Sequence, residues 1–294
     1  MNRAPVDPLV EAVTSWYGRA ARDLPWRRPS AGPWAVLVSE IMLQQTPVAR
    51  VLPAYERWLA KWPTASDLAR DSPGEAVRAW DRLGYPRRAL RLHAAAVAIV
   101  DRHGGRVPSS FLELRALPGI GDYTAAAVAT FAFGQRHAVL DTNVRRVLAR
   151  VVGGFALPAS ASVTVAERAR AVSLLPDDEK LAARFSVALM ELGALVCRAQ
   201  APQCAECPIV SMCAWHSAGA PSNVVAGRSQ GYEGTDRQVR GRLLAVLRSA
   251  RGPVPGARLD SVWPDADQRS RALDALVTDG LVQRVGSSEY CLPV

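Results

Sequence analysis

The chain has 294 residues, 49% of them hydrophobic and 21% charged, and a net charge of +9: the length of one large domain plus a small one, and the composition of an ordinary soluble globular protein. No apolar run reaches the ~18–20 residues of a bilayer span and residues 1–20 lack a signal peptide's apolar core, so no membrane role is expected and the location reads as cytoplasmic, or nucleoid-associated in a bacterium. The positive excess is nearly all arginine, Lys61 and Lys180 being the only lysines, and it suits a nucleic-acid partner.

Residues 7–20 predict an amphipathic helix with Leu9, Val13, Trp16 and Tyr17 on one face. The loop from Arg22 to Pro29 follows, broken by two prolines. Its Leu24, Trp26 and Arg27 have two readings: an aromatic beside a base, or a Trp lid on the core. Residues 34–46 predict a helix in which Val36, Leu37, Val38, Ile41, Met42 and Leu43 surround one acid, Glu40. A carboxylate in an apolar helix is costly unless paired, exposed or protonated. Burial raises its pKa, as a general acid working near neutral pH requires; the alternative is a Glu40 that faces solvent. Gln44, Gln45 and Thr46 end that helix before Pro47, and such amides can bond base edges or fill a gap in a base stack. Helices are expected at 47–62, twice within 64–82, and at 88–103, with Tyr85 in a turn flanked by arginines.

Residues 110–116 predict a short helix, and Leu117–Gly121 a tight turn in which Gly119 and Gly121 supply backbone freedom. A second helix starts at Asp122 or Tyr123, and its free N–H groups form an anion site. A further helix opens near Asp141, which by itself reads as an N-cap, and carries Asn143, Arg145 and Arg146. More helices are expected at 160–175 and 179–196, and no strand before Val196. Cys197, Cys204, Cys207 and Cys213 fall within seventeen residues, a metal site in a reducing compartment, for zinc or an iron–sulfur cubane. Arg198 beside them is a candidate to neutralise cluster charge. Cys291 reads as a packed thiol. Residues 216–235 read as a linker. Residues 236–294 order as helix, helix, helix, hairpin, the pattern of a winged helix, at 237–250, 256–262, 266–279 and around Gly286–Ser288. This unit holds nine arginines and seven acids, so the main positive footprint is assigned to the helical part. A protein contact or plain packing is set ahead of DNA readout for it.

Five segments occur in one order: SEIMLQQT at 39–46, LGY at 83–85, LPGIGDYT at 117–124, LDTNVRRVL at 140–148, and the four cysteines. Together they resemble the MutY-type adenine DNA glycosylase family of the helix-hairpin-helix/endonuclease III superfamily, over roughly residues 7–215. The resemblance implies a mainly α fold: a helical glycosylase domain at 1–215 with its helix-hairpin-helix at about 110–132 and a 4Fe-4S loop at 197–213, a linker, and a small winged-helix-like α+β unit at 236–294. It implies a monomeric enzyme of base excision repair acting on double-stranded DNA with adenine mispaired with 8-oxoguanine or guanine. Glu40 would protonate the flipped base and Asp141 stabilise the sugar cation, with Tyr123 and Asn143 orienting Asp141 and water. Leu24, Trp26, Arg27 and Val48 would line the adenine pocket. Gln44, Gln45, Thr46, Tyr85, Gly119 and Gly121 would meet DNA. Bifunctional relatives carry Lys where Tyr123 stands, so a monofunctional glycosylase is expected. Val187 stands where relatives place Gln or Glu, and Pro86 replaces an aromatic. The rivals are a thymine-mismatch glycosylase, an endonuclease III-like lyase, and an iron–sulfur redox regulator that binds DNA.

Overall fold

The computed structural model describes residues 7–221 and 231–294. Its helices are α1 (Pro8–Ala20), α2 (Pro33–Leu43), α3 (Val48–Lys61), α4 (Ala65–Arg70), α5 (Pro73–Trp80), α6 (Arg87–His103), α7 (Phe111–Arg115), α8 (Asp122–Phe133), α9 (Thr142–Val151), α10 (Val165–Ser173), α11 (Glu179–Leu195), α12 (Ala214–Ser217), α13 (Asp236–Ser249), α14 (Gly256–Asp260) and α15 (Ala266–Thr278). Side-chain caps set many of the starts: Asp7, Thr64, Ser72, Asp141, Thr164, Asp178 and Asp265 each accept a backbone N–H of the first turn. The helix expected over 160–175 therefore begins only at Val165, after its Thr164 cap. Of the expected linker, residues 216–217 belong to α12 and 222–230 lie outside the described residues.

The described chain groups into two compact units. The first takes residues 7–36, 109–115 and 121–221; the second takes 37–108, 116–120 and 231–294. In the first, one apolar face of α9 (Val144, Val147, Leu148, Val151) packs with Phe185, Ala188, Leu189 and Leu192 of α11 and with Leu9, Val10 and Val13 of α1. The α9 and α11 backbones touch at Gly193, where a Cβ would lie 2.7 Å from the Asn143 Cβ. Only glycine permits that approach, and it sets the start of α9 directly against α11.

In the second unit α4 and α5 pack on α6, and Trp58 meets Trp62 and Trp80 edge to face, with ring centres 4.6 and 5.6 Å away. Residues 231–294 bring α13 against α15 beside a three-stranded antiparallel sheet ordered β1 (Val254–Pro255), β3 (Glu289–Cys291), β2 (Gln283–Val285). Strand β1 was not expected. It is two residues long and pairs Val254 with Tyr290, too short to leave an alternating pattern. This module sits on α5: the Gly74 N–H donates to the Pro293 carbonyl at 2.7 Å and Arg248 Nε to the Val77 carbonyl at 3.0 Å. No helix among the described residues is long and apolar enough to cross a membrane.

Candidate active site

In the first unit Asp141 is the N-cap of α9. One carboxyl oxygen accepts the Val144 N–H at 2.7 Å and the other the Asn143 amide at 2.8 Å. Asn143 is itself fixed, its oxygen accepting from Arg146 Nη2 at 2.7 Å. Asp141 forms no ion pair among the described residues. Burial pushes its carboxyl above the usual range, against the opposing pull of those two hydrogen bonds and of the Arg146 charge. Tyr123, in the first turn of α8, is half-buried against Ala126, Ala127 and Val139.

The Arg22–Arg27 loop is held by a residue that the sequence did not single out. Glu191, fully buried on α11, accepts from the Arg22 backbone N–H (3.0 Å), Arg22 Nε (2.8 Å) and Nη2 (2.6 Å), and Arg27 Nη2 (2.9 Å). Burial would raise this carboxyl, but the Arg22 and Arg27 bonds outweigh it and hold it at about 2. Its one sequence signal was an acid inside the apolar run ALMELGALV. The clamp fixes the 3-10 turn Pro25–Arg27, where Leu24 and Trp26 are buried. Arg27 keeps one terminal nitrogen, Nη1, buried with no hydrogen-bond partner among the described residues.

In the second unit Glu40 is 5% exposed in the middle of α2, buried rather than facing solvent. Just beyond it Arg88 closes the helix end. Its Nη1 donates to the carbonyls of Ile41 and Met42 at 3.0 Å each, and to that of Gln44; its Nη2 donates to Thr46 Oγ1 at 2.9 Å and the Gly84 carbonyl at 3.0 Å. A cation at the carbonyl end of a helix meets the negative pole of its dipole. Burial still lowers the Arg88 pKa to about 10. One guanidinium thus ties QQT to LGY. The Thr46 hydroxyl is turned inward, also donating toward the Leu83 carbonyl at 3.3 Å. On either side, Gln45 (φ 54°) and Tyr85 (φ 47°) are exposed and left-handed, a strained backbone for side chains with a Cβ. Val48 opens α3 after Pro47.

The hairpin turn keeps its two glycines for different reasons. Gly119 has φ 74°, and a Cβ there would sit 2.6 Å from the Arg91 Cβ. Gly121 is extended, caps α8 without a side chain, and would have open space around a Cβ; it leaves the helix start uncovered rather than closely packed. Asp122 in that first turn pairs with Arg115 and Arg168.

Cys197, Cys204, Cys207 and Cys213 line one small cavity with Ile209 and Trp215. Among the described residues no group of three or more His, Cys, Asp or Glu side chains is placed to hold a single metal ion. Burial, with the neighbouring thiols adding, pushes Cys207 up to about 11 and Cys204 upward. A metal centre bound by these soft donors would oppose that rise, because coordination favours the thiolate. Arg198 is exposed, its guanidinium on the Ala201 carbonyl. The cation at the cysteines is instead Arg150, buried over the Trp215 ring at 4.5 Å, with Nη1 3.3 Å from Cys197 Sγ and 2.9 Å from the Arg198 carbonyl. Arg146 Nε reaches the Cys197 carbonyl at 2.7 Å, so α9 carries both Asp141 and the anchors of the cysteine loop.

The description of an HhH-GPD superfamily base excision DNA repair protein matches residues 38–160. An adenine DNA glycosylase of Mycolicibacterium smegmatis is 52% identical over 99% of this chain and 97% of its own length. The human adenine DNA glycosylase is 44% identical over 71% of this chain and 40% of its own. A solved thermostable thymine-DNA glycosylase superposes with a TM-score of 0.64 at 28% identity, covering 71% of this chain and 95% of that one. Across nearly its whole length, then, the chain belongs to the adenine DNA glycosylase family.

Proposed function

We infer that this protein is a DNA N-glycosylase that removes adenine from double-stranded DNA in base excision repair, with Glu40 and Asp141 as its working carboxylates. The target must first leave the base stack, because its glycosidic bond is out of reach inside a duplex. Glu40 then protonates N7, which neutralises the departing base. The C1′–N9 bond breaks with its electron pair going to adenine, and the sugar is left as an oxocarbenium-like cation. Asp141 faces that cation, and water adds to C1′ as its proton passes to the Glu40 carboxylate. The product is an abasic site. This is the two-carboxylate logic of glycoside cleavage.

The observation that carries the reading is the state of Asp141. It is oriented by Val144 and Asn143 yet has no ion-pair partner among the described residues. A counter-charge missing at rest and formed in the reaction stabilises the transition state more than the ground state. Arg27 supports the pocket assignment: a buried N–H without an acceptor suits a flipped base. Leu24, Trp26 and Val48 are proposed to line that pocket, and Tyr123 and Asn143 to orient Asp141 and water. Tyr123 cannot form an imine, so the enzyme stops at the abasic site. Gln44, Gln45 and Tyr85 are proposed to act at the base stack, with the inward-turned Thr46 holding their loops rather than meeting DNA, and Gly119 and Gly121 at the phosphates, with adenine taken opposite 8-oxoguanine or guanine. The four cysteines fit a 4Fe-4S cluster as a soft thiolate set, which would stiffen the loop anchored by Arg146 and Arg150. A monomer at work on nucleoid DNA completes the reading.

Duplexes holding A opposite 8-oxoguanine, A opposite G, and T opposite G provide the test. Alkali-dependent cleavage at A alone supports the assignment, while release of T transfers it to the thymine-mismatch class. Glu40→Gln is expected to bind the A:8-oxoguanine duplex and lose about 10²–10⁴-fold in base release; near-normal turnover would remove Glu40 from the mechanism.

A further inference from the structure

The second unit holds a cavity of about 1370 Å³ between the 82–91 segment and α13. Small-molecule sites run to roughly 300–1,000 Å³, so this one has the dimensions of a polymer groove. Ten arginines line it against two acids, Asp81 and Asp279. Asp279 is already taken by Arg240 at 2.5 Å and Arg87 at 3.3 Å, while Arg88 and Arg248 are spent on backbone carbonyls. Arg82 and Arg91 on one wall, and Arg237 and Arg242 on the other, are exposed and form no ion pair among the described residues.

The arginines on α13 are pre-set on aromatic rings. Arg237 lies over Tyr232 at 6.0 Å and Arg242 over Trp263 at 4.9 Å. Stacked guanidiniums lose less freedom on meeting an anion and present a fork that fits two phosphate oxygens. The same walls carry Gln44, Gln45 and Tyr85, with Tyr85 55% exposed, so amide and ring groups that suit bases stand beside guanidiniums that suit phosphates. Carboxylates of an acidic peptide would engage the guanidiniums but leave those groups unused.

We propose that this groove grips a phosphodiester backbone of the duplex, so that residues 231–294 are a DNA clamp rather than a platform for a protein. The proposal rests on the DNA-repair reading above but does not need adenine release. Its test uses the full chain and an undamaged 30-base-pair duplex, with binding followed by fluorescence anisotropy across a salt series. Each phosphate contact contributes about 0.9 to the slope of log affinity against log salt. Arg237→Ala with Arg242→Ala, and separately Arg82→Ala with Arg91→Ala, should each lower the slope by about 2 and weaken binding roughly tenfold at physiological salt. The matching Lys pairs, which keep charge, should retain the slope; that separates lost contacts from damaged folding. Wild-type slope and affinity in both Ala pairs would overturn the proposal, as would polyglutamate displacing the duplex at equal charge concentration while undamaged DNA of another sequence does not. A groove-dependent slope in a protein that releases no adenine would leave the clamp standing and remove the activity.

Discussion

Glu191 and Asp141 are two carboxylates of the same unit, both withdrawn from water, and the protein treats them in opposite ways. Glu191 receives two guanidiniums and its pKa falls to about 2. Asp141 receives two neutral donors and its pKa rises. The first is a settled charge whose role is to hold a loop. The second is oriented without being neutralised, as its proposed role opposite a sugar cation requires. Arg88 is the mirror image in the other unit, a buried cation met by helix-end carbonyls and driven down to about 10. Burial alone therefore does not set the direction of a pKa shift; the kind of partner does.

Removing the settled charge should have the largest effect. Glu191→Gln leaves Arg22 and Arg27 buried without an anion, and a broken buried pair costs about 3 kcal/mol, the lower end of its range because Arg22 is partly exposed. Urea denaturation reads this loss. The linkage has a definite sign. A carboxylate depressed in the fold contributes stability above its unfolded pKa of ~4.3 and loses it as pH falls toward about 2. The difference between wild type and Glu191→Gln should therefore shrink in that acid window. A pH-independent difference would mean that the clamp is packing rather than charge.

Arg88→Lys comes next. Lysine keeps a cation near the end of α2 but cannot fork between the two loops, leaving carbonyl acceptors short of donors, at about 1–3 kcal/mol. If Lys is fully tolerated, charge rather than fork geometry holds QQT to LGY.

The smallest effect on stability, with the opposite sign, belongs to Asp141→Asn. Asparagine caps a helix about as well as aspartate, so the start of α9 survives. Because the Asp141 pKa is raised in the fold, wild type loses stability as pH climbs above the ordinary ~3.9, and Asn does not. The variant should match wild type in acid and equal or exceed it by up to about 1 kcal/mol near neutrality, while adenine release is lost. Retained release would return Asp141 to the bland role of a cap and dissolve the contrast with Glu191.

Local signals were legible and cooperative ones were not. Asp141 and the Gly119 turn announce their elements because caps and left-handed glycines act within a few residues. Glu191 looked like one acid in an apolar helix because its partners lie 164 and 169 residues away. Arg150 went unread beside the cysteines for the same reason, and Arg198, adjacent in sequence, drew the role instead. The groove escaped because charge was summed along a segment. Residues 236–294 carry nearly as many acids as arginines, yet α13 turns Arg237 and Arg242 to one wall and its neighbours supply the other. The two-residue β1 left no period to count.

The guanidinium shared by QQT and LGY has a consequence for how this enzyme can vary. Gln45 and Tyr85 ride on loops that answer to one side chain, so changes in either loop are expected to combine non-additively. Substitutions in one loop will be accepted or rejected according to the residues in the other. Mutational scans should find epistasis concentrated between positions 44–46 and 83–85, and libraries that randomise both loops together should yield more folded variants than those that randomise one.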